Sequence, residues 1–150
     1  MTTPSSARAW RRAVLLAAVA LGACSSMPGM SPTLPLKARI DAAQEVPTNP
    51  STGTGTLEAT LNKNTNVLKY KVVYSGLTGP ATAAHFHGPA TVGQNAGVVL
   101  PFKSPASPIE GEATLTPAQA ADLSAGKWYV NIHTARNPAG EIRGQVMVGK

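Results

Sequence analysis

Three histidines are the side chains with most chemistry to offer in this 150-residue chain: His85, His87 and His133, with no others. His85 and His87 are two residues apart, and on a strand such a pair points to one face, about 6.5–7 Å apart along the chain. They can offer two imidazoles to one ion, and His133, on a later strand, can supply a third. Imidazole suits copper and zinc, and three histidines with an open position are a familiar metal arrangement. Structural or hydrogen-bonding roles for the same side chains are the competing reading.

The remaining polar candidates are less specific. Glu45, shortly before Pro47, reads as a strand-end hydrogen-bond acceptor, with an extra-ligand role as the alternative. Asn137-Pro138-Ala139-Gly140 is turn chemistry that sets the register of the last two strands. Glu141 and Arg143 share a face of the final strand and are expected to form a cross-strand ion pair. Gly53 and Gly55 lack the strand–helix setting of a phosphate loop. No serine in a motif has a base and an orienting partner beside it, so a hydrolase is unsupported and no catalytic residue or organic cofactor is assigned.

A different chemistry is written at the N-terminus. Arg8, Arg11 and Arg12 form a basic region, and Ala13 to Leu21 form an apolar run of nine residues. At about 1.5 Å per residue that run cannot cross a hydrocarbon core of about 30 Å, so it reads as a signal segment over residues 1–23. Leu21-Gly22-Ala23-Cys24 follows and resembles the lipobox read by the lipoprotein signal peptidase. The small residues suit a narrow peptidase site, and the Cys24 thiol accepts the diacylglyceryl group. Two or three acyl chains, palmitate among them, would anchor the protein, since each buried CH₂ contributes about 0.8 kcal/mol. Trp10 to Leu15 has some twin-arginine character, which leaves the export route open. Ser25 in place of an aspartate leads to an expectation of the outer membrane, on the periplasmic face or the cell surface.

Composition then narrows the classes. The chain carries 13 basic and 7 acidic side chains, and three of the arginines leave with the signal. The remainder is +3 and spread singly, so the clustered footprint of a nucleic-acid binder is missing. With Cys24 lipidated, no thiol is left for a disulfide, a zinc–thiolate site or a nucleophile. Stability must come from an apolar core, which about 110 residues can supply for one domain.

The elements that must position the histidines are β in pattern. Ser25 to Pro35 reads as a tether, because Pro28, Pro32 and Pro35 deny it a helix or a central strand. From Leu36 to Ala42 apolar and polar residues alternate, as they do from Thr54 to Leu61 and from Val67 to Tyr74. The last two runs flank the Asn-rich turn 62–66 and predict an antiparallel hairpin. Further strands are expected at 81–87, 97–102, 109–115, 127–134 and 141–148. Thr116 followed by Pro117 is the one good helix start. Some eight short strands with one short helix, over residues 36–150, indicate an all-β, antiparallel β-sandwich.

Three blocks now carry a resemblance: Ala42 to Pro47, Ala84 to Ala90, and Tyr129 to Thr134 followed by Asn137 to Gln145. In order and spacing they resemble the CHRD domain, named after chordin, over about Leu36 to Val148. That family is widespread in exported bacterial proteins and implies an immunoglobulin-like or superoxide-dismutase-like sandwich more than it implies a chemistry. The histidine pattern also resembles copper-zinc superoxide dismutase, in which a His-x-His strand and a later strand histidine ligate copper. That likeness implies His85 and His87 as the paired ligands and His133 as the later one. The departures are plain: no histidine remains to bridge to zinc, no zinc loop is visible, no disulfide can form, and neither Arg136 nor Arg143 aligns with the enzyme's active-site arginine.

The sequence thus leads to an envelope lipoprotein whose domain binds a copper-like metal, zinc being second choice, for holding, delivery or limited redox chemistry. A metal-free module that binds another envelope protein is the alternative, and dismutase-like catalysis is the third reading.

Overall fold

The structure is a computed structural model that describes residues 1–2 and 32–149. Residues 3–23 of the signal segment, Cys24 and residues 25–31 of the tether lie outside the described residues.

The chain enters the domain as β1 (Thr33–Asp41), in which Leu36, Ala38 and Ile40 are buried and their neighbours face out. A single 3-10 turn, Ala42–Gln44, follows, with Asp41 as its cap. The strands β2 (Thr54–Asn62) and β3 (Val67–Ser75) then form the expected hairpin. Its turn works by asparagine chemistry: the Asn62 side chain accepts from the N–H groups of Asn64 and Thr65, and Asn66 adopts φ +54°. Next come β4 (Ala81–His87), β5 (Val98–Pro101) and β6 (Ile109–Thr114). The one helix, α1 (Pro117–Ser124), starts at a full capping box of Thr116 and Gln119. The chain ends in β7 (Tyr129–Thr134), β8 (Ile142–Gln145) and β9 (Met147–Val148).

The all-β reading with one short helix stands. The strands form one sheet in the order β5-β4-β7-β8-β1-β2-β3-β6, with β9 beside β1. This sheet curls so that its two halves face each other across the core. Leu36, Ile40, Leu57, Leu61, Leu68 and Val72 come from one half, and Ala84, Phe86, Val130, Ile132 and Ile142 from the other. Contact across the gap is direct, since the Phe86 ring meets Tyr70 edge-on at 5.4 Å. Each such aliphatic side chain contributes about 1.5–3 kcal/mol on burial, so no covalent cross-link is needed to hold the halves together.

Two boundaries differ from the sequence reading. β1 begins at Thr33 and contains Pro35, which still accepts a hydrogen bond at its carbonyl from Gly149 N–H at 2.9 Å. A proline is tolerated where its missing donor is not required by a neighbouring strand. The last strand is split at Val146, whose N–H turns away to the Trp128 carbonyl while its side chain enters the core.

The outer faces of the two halves are unlike. On the β1–β2–β3–β6 half, Lys37, Glu58, Lys71 and Glu110 lie side by side in register, an alternating row in water. On the other half, strict alternation puts Ala84, Phe86, Val130 and Ile132 on the core and sends His85, His87, Tyr129, Asn131, His133 and Arg143 outward. Yet all six residues of β7 and all four of β8 are buried. The outer face of this half is a second interior, and a polar one.

Candidate metal centre

Register builds the site. His85 on β4 lies opposite Asn131 on β7, which lies opposite Arg143 on β8, while His87 lies opposite Tyr129. His133 is two residues beyond Asn131 and therefore on the same face. Loops cover this face. The Ala96 carbonyl meets His87 Nδ1 at 3.0 Å, the Pro138 carbonyl meets His133 Nδ1 at 3.0 Å, and Arg143 holds Gln94 O and Asn95 Oδ1. Asn95 in turn donates to Val46 O, pinning the loop after β4 to the loop after the 3-10 turn.

The three histidines named from the sequence come together. One ring nitrogen from each lies within 4.8 Å of the other two, and His85 Nδ1 is 3.2 Å from His133 Nε2. His87 and His133 are only 9% exposed, and His85 is half-buried. The backbone carbonyls fix the tautomers. His87 and His133 each donate from Nδ1, so Nε2 carries the lone pair, and second-shell bonds of this kind orient metal-binding imidazoles. His87 Nε2 is buried and has no hydrogen-bond partner. Burial, then the neighbouring His133 and His87, pushes the His85 pKa below its usual 6.5. Burial also lowers that of His87, against the opposing hydrogen bond that His87 donates to Ala96 O. Both shifts favour the neutral ring, the form a metal requires.

The donor set fits a metal ion. With metal–nitrogen bonds of about 2.0–2.1 Å, two donors 3.2 Å apart subtend about 100° at a shared ion. Two nitrogens on one ion lie about 3.3 Å apart in a tetrahedral arrangement and at most about 4.1 Å apart when opposite each other, so a pair 4.8 Å apart must close by about 0.7–1.5 Å. That is a side-chain adjustment and not a strand movement.

The other candidates fall differently. Glu45 is not among the metal-ligating group; its Oε1 is buried without a hydrogen-bond partner. Burial is the largest influence on it and raises its pKa to about 7, against the opposing Arg143 and the hydrogen bonds of Val46 and Asn131. Glu141 and Arg143 make no ion pair, which corrects the sequence expectation. Gly140, at φ +137°, ends the Asn137–Gly140 turn, and the Glu141 carboxylate accepts from Ser51, Thr78, Thr134 and Asn137 instead. Arg143 spends its charge on the loop carbonyl and on the Tyr129 ring, 3.4 Å below it. Tyr129 in turn lies parallel to His87 at 4.8 Å. The sequence reading missed Tyr129 and Asn131. The two-residue spacing from His133 would have placed both on its face.

A curled antiparallel sheet with a loop-covered polar face, holding three clustered imidazoles, defines a β-sandwich protein with a candidate histidine metal centre. The chain belongs to the CHRD domain family, whose model matches residues 36–146. No curated protein and no solved structure matches the chain significantly. Among the described residues no helix is long and apolar enough to cross a membrane.

Proposed function

We propose that this protein is an exported, lipid-anchored protein of the cell envelope whose CHRD domain binds a copper-like metal ion through His85, His87 and His133. Two observations carry the metal reading: the buried His87 Nε2 has no hydrogen-bond partner, and one ring nitrogen from each of the three histidines lies within 4.8 Å of the other two. A buried polar atom without a partner costs free energy, and an ion shared with two more imidazoles offsets it. Copper is favoured over zinc by the stability order for nitrogen donors. The anchor rests on Leu21-Gly22-Ala23-Cys24 behind a short apolar run. Metal holding or delivery in the envelope is the role that such a site suits.

Calorimetric titration of the protein with Cu(II) and Zn(II) at pH 7.5 and pH 5 tests the reading. Cu(II) is expected to bind more tightly than Zn(II), and both more weakly at pH 5, where protons compete for the imidazoles. Each of His85→Ala, His87→Ala and His133→Ala is expected to lose most of the affinity. If the protein binds neither metal at micromolar concentration, or all three variants bind like wild type, a metal-free interaction module takes its place.

A further inference from the structure

His133 faces more acceptors than it can serve. In the neutral form that a metal requires, an imidazole has one N–H, and the Pro138 carbonyl 3.0 Å from His133 Nδ1 takes it there. Its Nε2 nevertheless lies 2.9 Å from Asn131 Oδ1. Towards His85 the matter is simple, because His85 Nδ1–H can donate to His133 Nε2 across 3.2 Å. In that neutral form no proton is left towards Asn131, so His133 Nε2 and Asn131 Oδ1 present two lone pairs 2.9 Å apart.

Turning the amide over would relieve this, but its other end is occupied. Asn131 Nδ2 and Glu45 Oε1 both border the space above Gly140, where a Cβ would collide with Glu45 Oε1 and lie 2.9 Å from Asn131 Nδ2. The amide nitrogen beside a carboxyl group is the stable arrangement, which leaves Oδ1 aimed at the histidines. Asn131 is also 3% exposed and lies directly opposite His85 in the sheet, so the backbone fixes where its side chain starts.

We propose that Asn131 Oδ1 is a fourth donor of the metal centre, completing a three-nitrogen, one-oxygen set, with Glu45 as the positioning residue that holds the amide in that orientation. The inference rests on the metal reading of the three histidines and adds to it. With bonds of about 2.0–2.2 Å, an oxygen 2.9 Å from a ligating nitrogen subtends about 85–90° at the ion. A cation there removes the lone-pair conflict and takes the place of the proton between His85 and His133.

The test uses the full chain in detergent, carrying Cys24→Ser so that its one thiol does not bind the probe. Cu(II) is titrated and its electron paramagnetic resonance spectrum recorded for wild type, Asn131→Leu and Asn131→Asp. Asn131→Leu is expected to weaken Cu(II) binding about 10- to 100-fold, the range for lost metal-site partners, and to change the copper hyperfine splitting. Asn131→Asp keeps an oxygen there and is expected to bind at least as tightly as wild type, with a shifted spectrum. Circular dichroism melts check that both variants fold. Should Asn131→Leu misfold, a wild-type spectrum and affinity in Asn131→Asp would overturn the proposal. If wild type binds Cu(II) and loses it on His→Ala substitution, but Asn131→Leu changes neither affinity nor spectrum, the fourth donor is refuted and the three-histidine site stands. If wild type binds no Cu(II), both fall.

Discussion

Glu141→Gln should be one of the most damaging conservative substitutions in this domain. Glu141 is fully buried, and its two oxygens accept five hydrogen bonds: from Ser51 Oγ and Thr78 N on one, and from Thr78 Oγ1, Thr134 Oγ1 and Asn137 Nδ2 on the other. Those donors come from the segments before β2 and before β4, from the end of β7 and from the turn after it, so the carboxylate ties these parts of the chain together. Glutamine is the same size but has one acceptor oxygen, and its NH₂ group must face two or three of the donors. Burial alone would raise the pKa of Glu141, yet the bonds from Ser51, Thr134 and Thr78 outweigh it and bring the value from 4.5 to about 2. A gap of that size makes the charged form worth about 3 kcal/mol to folding at pH 7. Loss of that contribution lowers Tm by roughly 10–15 °C for a domain of this size. The stabilisation is present above the unfolded pKa near 4.5 and fades as pH falls towards about 2, because the native carboxylate then takes up its proton. Urea unfolding of wild type and Glu141→Gln, followed by circular dichroism between pH 7 and pH 2.5, should show a difference that shrinks below pH 4.5. A difference under 1 kcal/mol at pH 7, or one that does not change with pH, refutes the reasoning.

Glu45 should behave with the opposite sign. Its folded pKa is raised to about 7, so folding loses stability as pH rises from about 4.5 through 7, and Glu45→Gln should match wild type at pH 5 but melt at the same or a higher temperature at pH 8. Gly140→Ala should lower Tm by several degrees, since φ +137° strains any side chain at about 1–3 kcal/mol and the new methyl strikes Glu45 Oε1. Cys24→Ala should leave an unanchored or uncleaved precursor, seen as altered membrane fractionation and mass; unchanged behaviour would falsify the lipoprotein reading.

Period-two alternation sufficed to read the strands around Ile40, Leu57 and Val72, because a half-buried strand writes its buried face directly into its residue types. Thr116 and Pro117 marked the helix start for an equally local reason: a capping box needs only neighbours. His85 and His87 were legible as a pair for the same cause, two residues on one face of one strand. Tertiary structure alone decided that His133 meets them, because the distance between β4 and β7 depends on sheet order and not on local sequence. It also decided that the outer faces of β7 and β8 are covered, which buried Asn131 and Arg143. The expected Glu141–Arg143 pair failed on that point. A shared strand face says which way two side chains start, but the loops that close over the face decide which donors each charge finds, and those loops come from residues 51, 78 and 94, far away in sequence.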